Sequence, residues 1–346
     1  MLGLYICPWN AKLYLNLKGN FGNWTGTWPR ATHEIGKWGR MKPWILGAAV
    51  FAAILACELG LRVCGFGHPL IYKASDAGYE LVANQTSTRM GETTHVNTFG
   101  LRGPEMLPAS APGMTRILSL GDSVANGGAT ISDDQTYPAQ LQNDLGSKTE
   151  VLNASAGGWA LGNEHGWLLE HGTFGASVIV LEVNEGDLDE PTHGSDILNH
   201  NPSFPKQYPA MAMIQVMTQY VLPRLHIGVP TTDPGAAASV VDAASEARVI
   251  PTISEMAQIA KRNDAHFIIV YWDFHAGRLP TQTMETRGKL FAWAKLNSIP
   301  VVRPNLSARP DWHRLFRDPF HPNVAGNALI AEAVANQIEL MASPSR

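Results

Sequence analysis

Short apolar runs alternate with amphipathic helical patterns over the last two thirds of the chain. The predicted strands are Arg116 to Leu120, Glu150 to Asn153, Ser177 to Val183, His266 to Trp272 and Ile299 to Arg303. The predicted helices are Tyr137 to Leu145, Gly162 to His171, Ile253 to Asn263, Thr283 to Asn297 and Val324 to Met341. Strands separated by helices of this length require crossover connections, which produce a parallel sheet covered on both faces. We therefore expect a three-layer, doubly wound α/β domain with a five-stranded parallel sheet over residues 113–346.

Two segments depart from this alternation. Residues 66–112 are polar and turn-rich, and we expect them to form a lead-in to the domain. Residues 188–247 are longer than the loops usual in compact domains and contain the apolar helical pattern MAMIQVMTQYVL. We expect this insertion to supply a wall of a binding pocket, with Met211, Met213 and Met217 facing the ligand.

The beginning of the chain has the layout of a membrane-targeting segment. Residues 1–42 carry a net charge of +5, and the uncharged run WILGAAVFAAILAC follows them from Trp44 to Cys57. The run suits a signal peptide; it reaches a spanning length only if Glu58 and Arg62 pair one helical turn apart near the membrane interface. A buried helix of a soluble protein is the alternative. We expect residues 41–65 to be a signal anchor or signal peptide, with the downstream domain outside the cytoplasm.

The sequence at Cys57 and the region before the apolar run allow two finer expectations. Ile54 to Cys57 resembles a lipoprotein processing site, in which Cys57 would carry lipid. Residues 1–40 contain scattered tryptophans without helical or strand periodicity, and we expect an unstructured extension there. In that case Met41, directly before Lys42, is an alternative start of the protein to Met1. The other interpretation is that residues 1–40 form a cytoplasmic tail.

Composition excludes several classes of protein. The chain has 346 residues, of which 45% are hydrophobic and 16% charged, so it is too apolar to be generally disordered. The net charge of −4 gives no attraction to nucleic acid. No cysteine follows Cys64, which excludes disulfides, cysteine-based zinc sites and a cysteine nucleophile from the α/β domain. The glycine spacing fits neither a dinucleotide fingerprint nor a phosphate-binding P-loop, and we expect no cofactor.

Chemically capable residues follow the predicted strands, where ligands of such sheets bind. Ser123 in LSLGDSVANGG follows the first strand at a turn into a helix, the glycine pair of NASAGGW follows the second, and Asn184 in LEVNEGD follows the third. Each has a structural alternative, as a helix cap or as part of an ordinary turn. Near the C-terminus, Asp318 precedes His321 by three residues, a spacing that lets the carboxylate orient the imidazole.

That last pair also has two alternative interpretations. Asp318 and His321 can simply cap the helix that follows them. The second interpretation is a metal site formed by His313, Asp318 and His321. The sequence offers no second cluster of ligands with metal spacing, so we expect no metal.

Taken in chain order, these four signals resemble the SGNH, or GDSL, hydrolase superfamily. The segment Asn97 to Glu105 looks like the lead-in of a bacterial, membrane-anchored branch, and the resemblance covers about residues 95–342. It implies a flavodoxin-like SGNH hydrolase fold with a catalytic triad of Ser123, His321 and Asp318. It also implies an oxyanion hole formed by Ser123, Gly158 and Asn184. The family's third block usually reads Gly-x-Asn-Asp, whereas Glu182 and Glu185 occupy its first and last positions here.

The implied activity is hydrolysis of an acyl ester, on a glycan or a lipid, through a serine ester intermediate. The same chemistry could transfer the acyl group to a glycan hydroxyl, which would make the protein an O-acyltransferase of the cell envelope. A membrane-tethered, inactive glycan-binding domain is the non-enzymatic alternative.

Overall fold

The computed structural model describes residues 42–225, 243–273 and 281–342. The predictions for residues 1–40, for Met41 and for residues 226–242 of the insertion concern parts of the chain outside these ranges. Contacts divide the chain into two units, Met1–Val50 and Phe51–Arg346, and the α/β domain belongs to the second.

The elements alternate as the apolar pattern predicts. The β-strands are β1 Tyr72–Ser75, β2 Gly78–Leu81, β3 Gln85–Arg89, β4 Glu92–Val96, β5 Thr115–Gly121, β6 Thr149–Ser155, β7 Val178–Asn184, β8 His266–Trp272 and β9 Val301–Val302. The α-helices are α1 Pro43–Val63, α2 Ser123–Asn126, α3 Tyr137–Leu145, α4 Leu161–His171, α5 Ala212–Val216, α6 Leu222–Arg224, α7 Ala243–Arg262, α8 Thr281–Leu296 and α9 Val324–Ala342. A π-helical turn, Met217–Val221, joins α5 to α6.

The central sheet has five parallel strands in the order β6-β5-β7-β8-β9. This is the flavodoxin-like strand order of a doubly wound domain. The sheet grows from β5 to β6 on one side and then from β7 to β9 on the other, so the switch point lies beside β5. The predicted α/β fold class and the five-stranded parallel sheet are therefore confirmed. The carboxyl ends of β5, β6 and β7 lie side by side, which brings the three predicted post-strand motifs to one edge of the sheet.

Alternate residues of the strands face two separate apolar layers. On one face, Ile117, Val180 and Val270 pack with side chains of α3 and α9. On the other face, Leu118, Leu181 and neighbouring residues pack with α4, α7 and α8. Both faces are buried, so the strands are nearly continuous apolar runs, as expected for a parallel sheet.

The lead-in segment contains strands that its polar sequence did not indicate. Residues 66–112 contain two antiparallel hairpins, β1–β2 and β3–β4. The sequences QTSTR and ETTHV are too polar to signal strands, because one side of this hairpin faces solvent. Tyr79 and Leu81 of β2 are fully buried in the core beside α4.

The apolar run forms the helix α1, which extends over 21 residues to Val63. Within the described ranges, it is the one helix long and apolar enough to cross a membrane, a criterion that a signal sequence also meets. Its apolar side chains are exposed. Arg62 Nε lies 2.7 Å from Glu58 Oε1, so the predicted pair one helical turn apart is present.

Candidate active site

Ser123 is the first residue of α2, and Asp122 alone separates it from the end of the strand β5. Asp122 caps this helix, because its Oδ1 accepts a hydrogen bond of 2.7 Å from Val124 N. Gly121 ends the strand where no larger residue fits: a Cβ there would lie 2.7 Å from that of Ala125 and 3.0 Å from Glu182 Oε2. The helix α2 has only four residues, so its free N–H groups contribute more to the local electrostatics than a helix dipole does.

His321 and Asp318 lie in the loop before α9 and complete a chain of hydrogen-bonding groups with Ser123. His321 Nε2 lies 2.9 Å from Ser123 Oγ. His321 Nδ1 lies 2.9 Å from each oxygen of Asp318. The structure thus brings together three side chains that are separated by up to 198 positions in the sequence.

Short-range hydrogen bonds set the shape of this loop. Asp318 Oδ1 accepts from the backbone N–H groups of Phe320, at 2.9 Å, and His321, at 2.8 Å. Arg317 Nη1 donates to Gly127 O and to Thr130 Oγ1, both at 2.8 Å. The Arg317 contacts join the loop to the segment that follows α2, and so hold His321 opposite Ser123.

The surroundings of Asp318 favour its ionised form. Burial alone would raise the pKa of Asp318, but the hydrogen bond and charge of His321, together with the two backbone donors, outweigh it and lower the pKa to about 2. A carboxylate that stays ionised can orient the imidazole and stabilise its protonated form.

Asn184 ends β7 with its amide group held in one orientation. Its Oδ1 accepts from Gly186 N at 2.8 Å, and its Nδ2 donates to Asp122 Oδ2 at 3.0 Å. Its backbone N–H donates to Asp187 Oδ2 at 2.8 Å. Since an amide nitrogen carries two hydrogens, one N–H of Asn184 is not used in these bonds. Glu182 and Glu185, the departures from the family pattern, have not displaced the amide from the site.

Gly158 lies in the turn after β6, next to the carboxyl end of β5. Its φ of +69° is a left-handed conformation that favours glycine. Tyr79 Oη donates to the carbonyl of Gly157 at 2.8 Å, which fixes the turn from the side of the hairpin. In the part of the chain that the structure describes, no hydrogen-bond acceptor is found for the backbone N–H groups of Ser123 and Gly158.

Buried carboxyl groups surround the base of this site. Glu164, Glu182 and Asp187 are almost completely buried. Burial raises the pKa of each of them well above its ordinary value, and the neighbouring carboxyl group of Asp122 adds to the effect. Glu164 is the extreme case, because neither of its side-chain oxygens has a hydrogen-bond partner among the described residues.

Sequence reasoning missed Arg102, which lies in the segment that looks like a family lead-in. Its side chain is buried, and its Nε bonds to Asp133 Oδ1 at 2.9 Å. Its other nitrogens donate to the carbonyls of Asn126, Gly128 and Ile131, all in the segment after Ser123. The one sequence signal for this role is a lone arginine in the otherwise turn-forming run NTFGLRGPE.

The metal alternative for the histidine motif has no geometric support. Among the described residues, the group whose ligand atoms are close enough to share an ion is Glu80, Glu170 and His171. His313, Asp318 and His321 do not form such a group. Lys73 Nζ also lies 2.8 Å from Glu80 Oε1, so a cationic side chain already neutralises that carboxylate.

No family model and no curated protein matches this chain. Several solved structures are similar to it. They include a protein assigned to the lipolytic G-D-S-L family from Desulfitobacterium hafniense DCB-2, with 14% identity, a TM-score of 0.39, and coverage of 64% of this chain and 98% of that one. A carbohydrate acetylesterase family member from Sinorhizobium meliloti has 13% identity, a TM-score of 0.40, and coverage of 66% and 99%. The aryl esterase of M. smegmatis has 13% identity, a TM-score of 0.40, and coverage of 65% and 99%.

Proposed function

We propose that this protein is a serine ester hydrolase of the SGNH type that cleaves an acyl ester of a glycan or lipid. The observation that carries the proposal is the arrangement of Ser123, His321 and Asp318, in which the two successive contacts are both 2.9 Å. A nucleophile within reach of a base, itself oriented by a carboxylate, is the geometry that activates serine for acyl transfer.

In the proposed reaction, His321 Nε2 accepts the proton of Ser123 Oγ as this oxygen attacks the ester carbonyl. Asp318 holds the imidazole through Nδ1 and stabilises the imidazolium that forms. His321 then gives the proton to the leaving alcohol, which leaves an acyl group on Ser123. Water, deprotonated by His321 in the same way, releases the acid and restores the serine.

The negative oxygen of the tetrahedral intermediate needs donors that are in place before the reaction. The backbone N–H groups of Ser123 and Gly158 and the second N–H of the Asn184 amide are the groups we assign to it. Loss of one such donor typically costs roughly 10²- to 10³-fold in kcat. We expect Asn184→Ala to have an effect of this size, with little change in KM.

The proposal is tested with a simple aryl ester and with covalent labelling of the serine by a fluorophosphonate. Ser123→Ala and His321→Ala should each abolish nearly all turnover, and the double variant should be little worse, because the two residues act as one unit. Asp318→Asn should be milder, since the serine and imidazole remain. Circular dichroism must show that the variants fold like the wild type.

Two outcomes would contradict it. If folded Ser123→Ala keeps most of its esterase activity, the nucleophile lies elsewhere. If the wild type neither hydrolyses esters nor takes up the label, an inactive binding domain is the better interpretation. Product analysis with and without glycan acceptors distinguishes hydrolysis from O-acyl transfer, and a panel of esters with increasing acyl length distinguishes an acetylesterase from a lipid-cleaving enzyme.

We also propose that the protein is attached to a membrane through α1, with the catalytic domain outside the cytoplasm in the periplasm or at the cell surface. The support is the exposed apolar surface of this helix and the basic residues that precede it in the sequence.

A further inference from the structure

Glu182 lies in the central strand β7, at a position where the alternation along the strand predicts a buried apolar side chain. Val178 and Val180 precede it on the same face of the strand and pack in the core with α3 and α9. Asn184 follows it on that face, at the carboxyl end of the strand. Glu182 is fully buried, so its carboxyl group lies inside the protein, directly below the active site.

Two neighbouring strand ends contact the Glu182 carboxyl group. Trp272, the last residue of β8, donates its Nε1–H to Glu182 Oε1 at 2.5 Å. The backbone N–H of Asp122 donates to Glu182 Oε2 at 3.4 Å, and the side-chain carboxyl group of Asp122 lies beside that of Glu182. Glu182 therefore connects Trp272 to the turn that presents the nucleophile.

The charge state of Glu182 decides what this connection can do. Burial raises its pKa well above the ordinary value, and the neighbouring acids Asp122 and Glu164 raise it further, whereas the Trp272 bond acts in the opposite direction. These surroundings therefore favour the protonated form of the group. A neutral carboxyl group can accept from Trp272 with one oxygen and donate with the other.

The acceptor available for that proton is Asp122, which already has two duties in the site. Its Oδ1 caps α2 at Val124 N, and its Oδ2 accepts from the amide of Asn184. A donor directed at this carboxylate from below restrains it against rotation, and so restrains both the nucleophile turn and the amide that we assign to the oxyanion.

We propose that Glu182 is a positioning residue, whose protonated carboxyl group donates a hydrogen bond to Asp122 and thereby holds Asn184 in place for the oxyanion. This inference rests on the proposed esterase function. The family pattern that this sequence resembles has glycine at this position. The hydrogen bond from Trp272 to Glu182 is therefore a feature of this chain.

The test compares two replacements of similar size. Glu182→Gln keeps an oxygen for Trp272 and an N–H donor for the side chain of Asp122, and it loses only the long bond of 3.4 Å from Asp122 N. Glu182→Met fills the same space with no hydrogen-bonding group of comparable strength. We expect kcat on an aryl ester to stay within about threefold of wild type in Glu182→Gln. In Glu182→Met it should fall roughly 10- to 100-fold with KM little changed, less than for complete loss of an oxyanion donor.

Two controls separate positioning from general damage. Trp272→Phe should lower kcat in the wild type but add little in the Glu182→Met background, because both changes break the same chain of hydrogen bonds. Circular dichroism and thermal unfolding identify variants that do not fold. The proton itself is visible by infrared spectroscopy: the wild type minus Glu182→Gln difference spectrum at pH 7 should contain the carbonyl band of a protonated carboxyl group.

Several results would overturn the inference. Equal kcat in Glu182→Gln, Glu182→Met and wild type would show that the bond is unnecessary, and equal losses in both variants would show that packing alone matters. An ionised carboxylate band in the difference spectrum would contradict the donor role. An absence of Ser123-dependent hydrolysis in the wild type would refute the proposed function instead, while the infrared result would still decide the protonation of Glu182.

Discussion

At the scale of single residues, the most unusual feature is an excess of buried acids around Asp122. Asp122 contacts the amide of Asn184 and caps the helix that begins at Ser123, while Glu164, Glu182 and Asp187 lie buried around it. Their raised pKa values mean that the folded protein holds protons on these acids at a pH at which the unfolded chain would release them. Stability near the active site is therefore linked to pH.

Glu164→Gln should make the folded protein less sensitive to alkaline pH. The folded pKa of Glu164 is raised above its ordinary value of 4.5, so its contribution to stability is complete below pH 4.5 and is lost as the pH rises through the folded pKa. Within that window, each pH unit costs the wild type about 1.4 kcal/mol for this one group. Glutamine does not ionise, so the Tm of the variant relative to that of the wild type should increase as the pH rises from 4.5 towards the folded pKa of Glu164.

Thermal unfolding of both proteins at several pH values checks this, with Glu332→Gln on the exposed side of α9 as the control. The control should follow the wild type at every pH. A constant difference in Tm between Glu164→Gln and the wild type would contradict the pKa shift.

At the scale of elements, the loops around Ser123 are held by arginines from distant parts of the chain. Arg317 reaches them from the loop before α9, and Arg102 reaches them from the segment after the hairpin β3–β4. Arg102 also lies in short β-bridges with Val96 and Asn153, which join the hairpin to β6. The lead-in is thus part of the support of the active site.

Arg102→Lys should weaken this support although it conserves the charge. Lysine cannot reproduce the planar fork that serves Asp133 and three carbonyls at once. Loss of two or more bonds to a buried cation should lower the free energy of unfolding by about 2–4 kcal/mol. Denaturant unfolding measures this, and Arg309→Lys, at an exposed pair with Asp311, should change stability by less than about 0.5 kcal/mol. Equal effects of the two substitutions would show that Arg102 holds nothing in place.

The contacts that the structure records for the insertion join it to the end of α1 and to the segment that follows it. Its helical part, Ala212–Arg224, is joined to the end of α1: Glu58 accepts from Ala212 N at 2.8 Å and from Met213 N at 3.0 Å, and Gln215 Oε1 accepts from Gly67 N at 2.6 Å. No hydrogen bond within the described ranges joins it to Ser123. Met217 is exposed. A role of Met211, Met213 and Met217 in acyl binding stays a prediction.

At the scale of the whole molecule, the exposed apolar side chains of α1 support the membrane attachment that we propose. If it remains as an anchor, fractionation should find the full protein in the membrane, and protease added outside the cytoplasm should cleave the catalytic domain. Recovery of the full protein from the soluble cytoplasmic fraction would refute the attachment.

Cys57→Ala distinguishes the two forms of attachment. Cys57 is exposed within α1. If it carries lipid, the variant should lose a processing step and migrate differently on a gel, and labelling with a fatty-acid probe should disappear. Cys64→Ala, at the second exposed cysteine of the described residues, is the matched control and should leave processing unchanged. Identical behaviour of the wild type and Cys57→Ala would favour a plain helical anchor.

The apolar pattern alone determined the fold class, because buried parallel strands and amphipathic helices have periods that remain visible without any partner. The predicted bounds of β8 and α3 coincide with the structure, and α9 differs by a single residue at its end. Ser123, Asn184 and the Asp318–His321 pair stood out because they follow strands or form a compact motif, whereas Gly158 was selected within its glycine pair by the resemblance to a family pattern. The polar strands β3 and β4 were not predicted, because the burial of their side chains depends on the elements that cover them and not on apolar residue types.

Only the tertiary structure decided which of these residues meet. The contact between His321 and Ser123 joins positions 198 residues apart, and no local pattern encodes such a distance. The roles we assign to Glu182 and Arg102 are equally long-range, because each depends on carbonyls, carboxyl groups or an indole from other elements. In the sequence, Glu182 is merely a departure from a family motif. In the folded protein, its burial between Trp272 and Asp122 favours the neutral acid, since a buried charge without a cationic partner is costly.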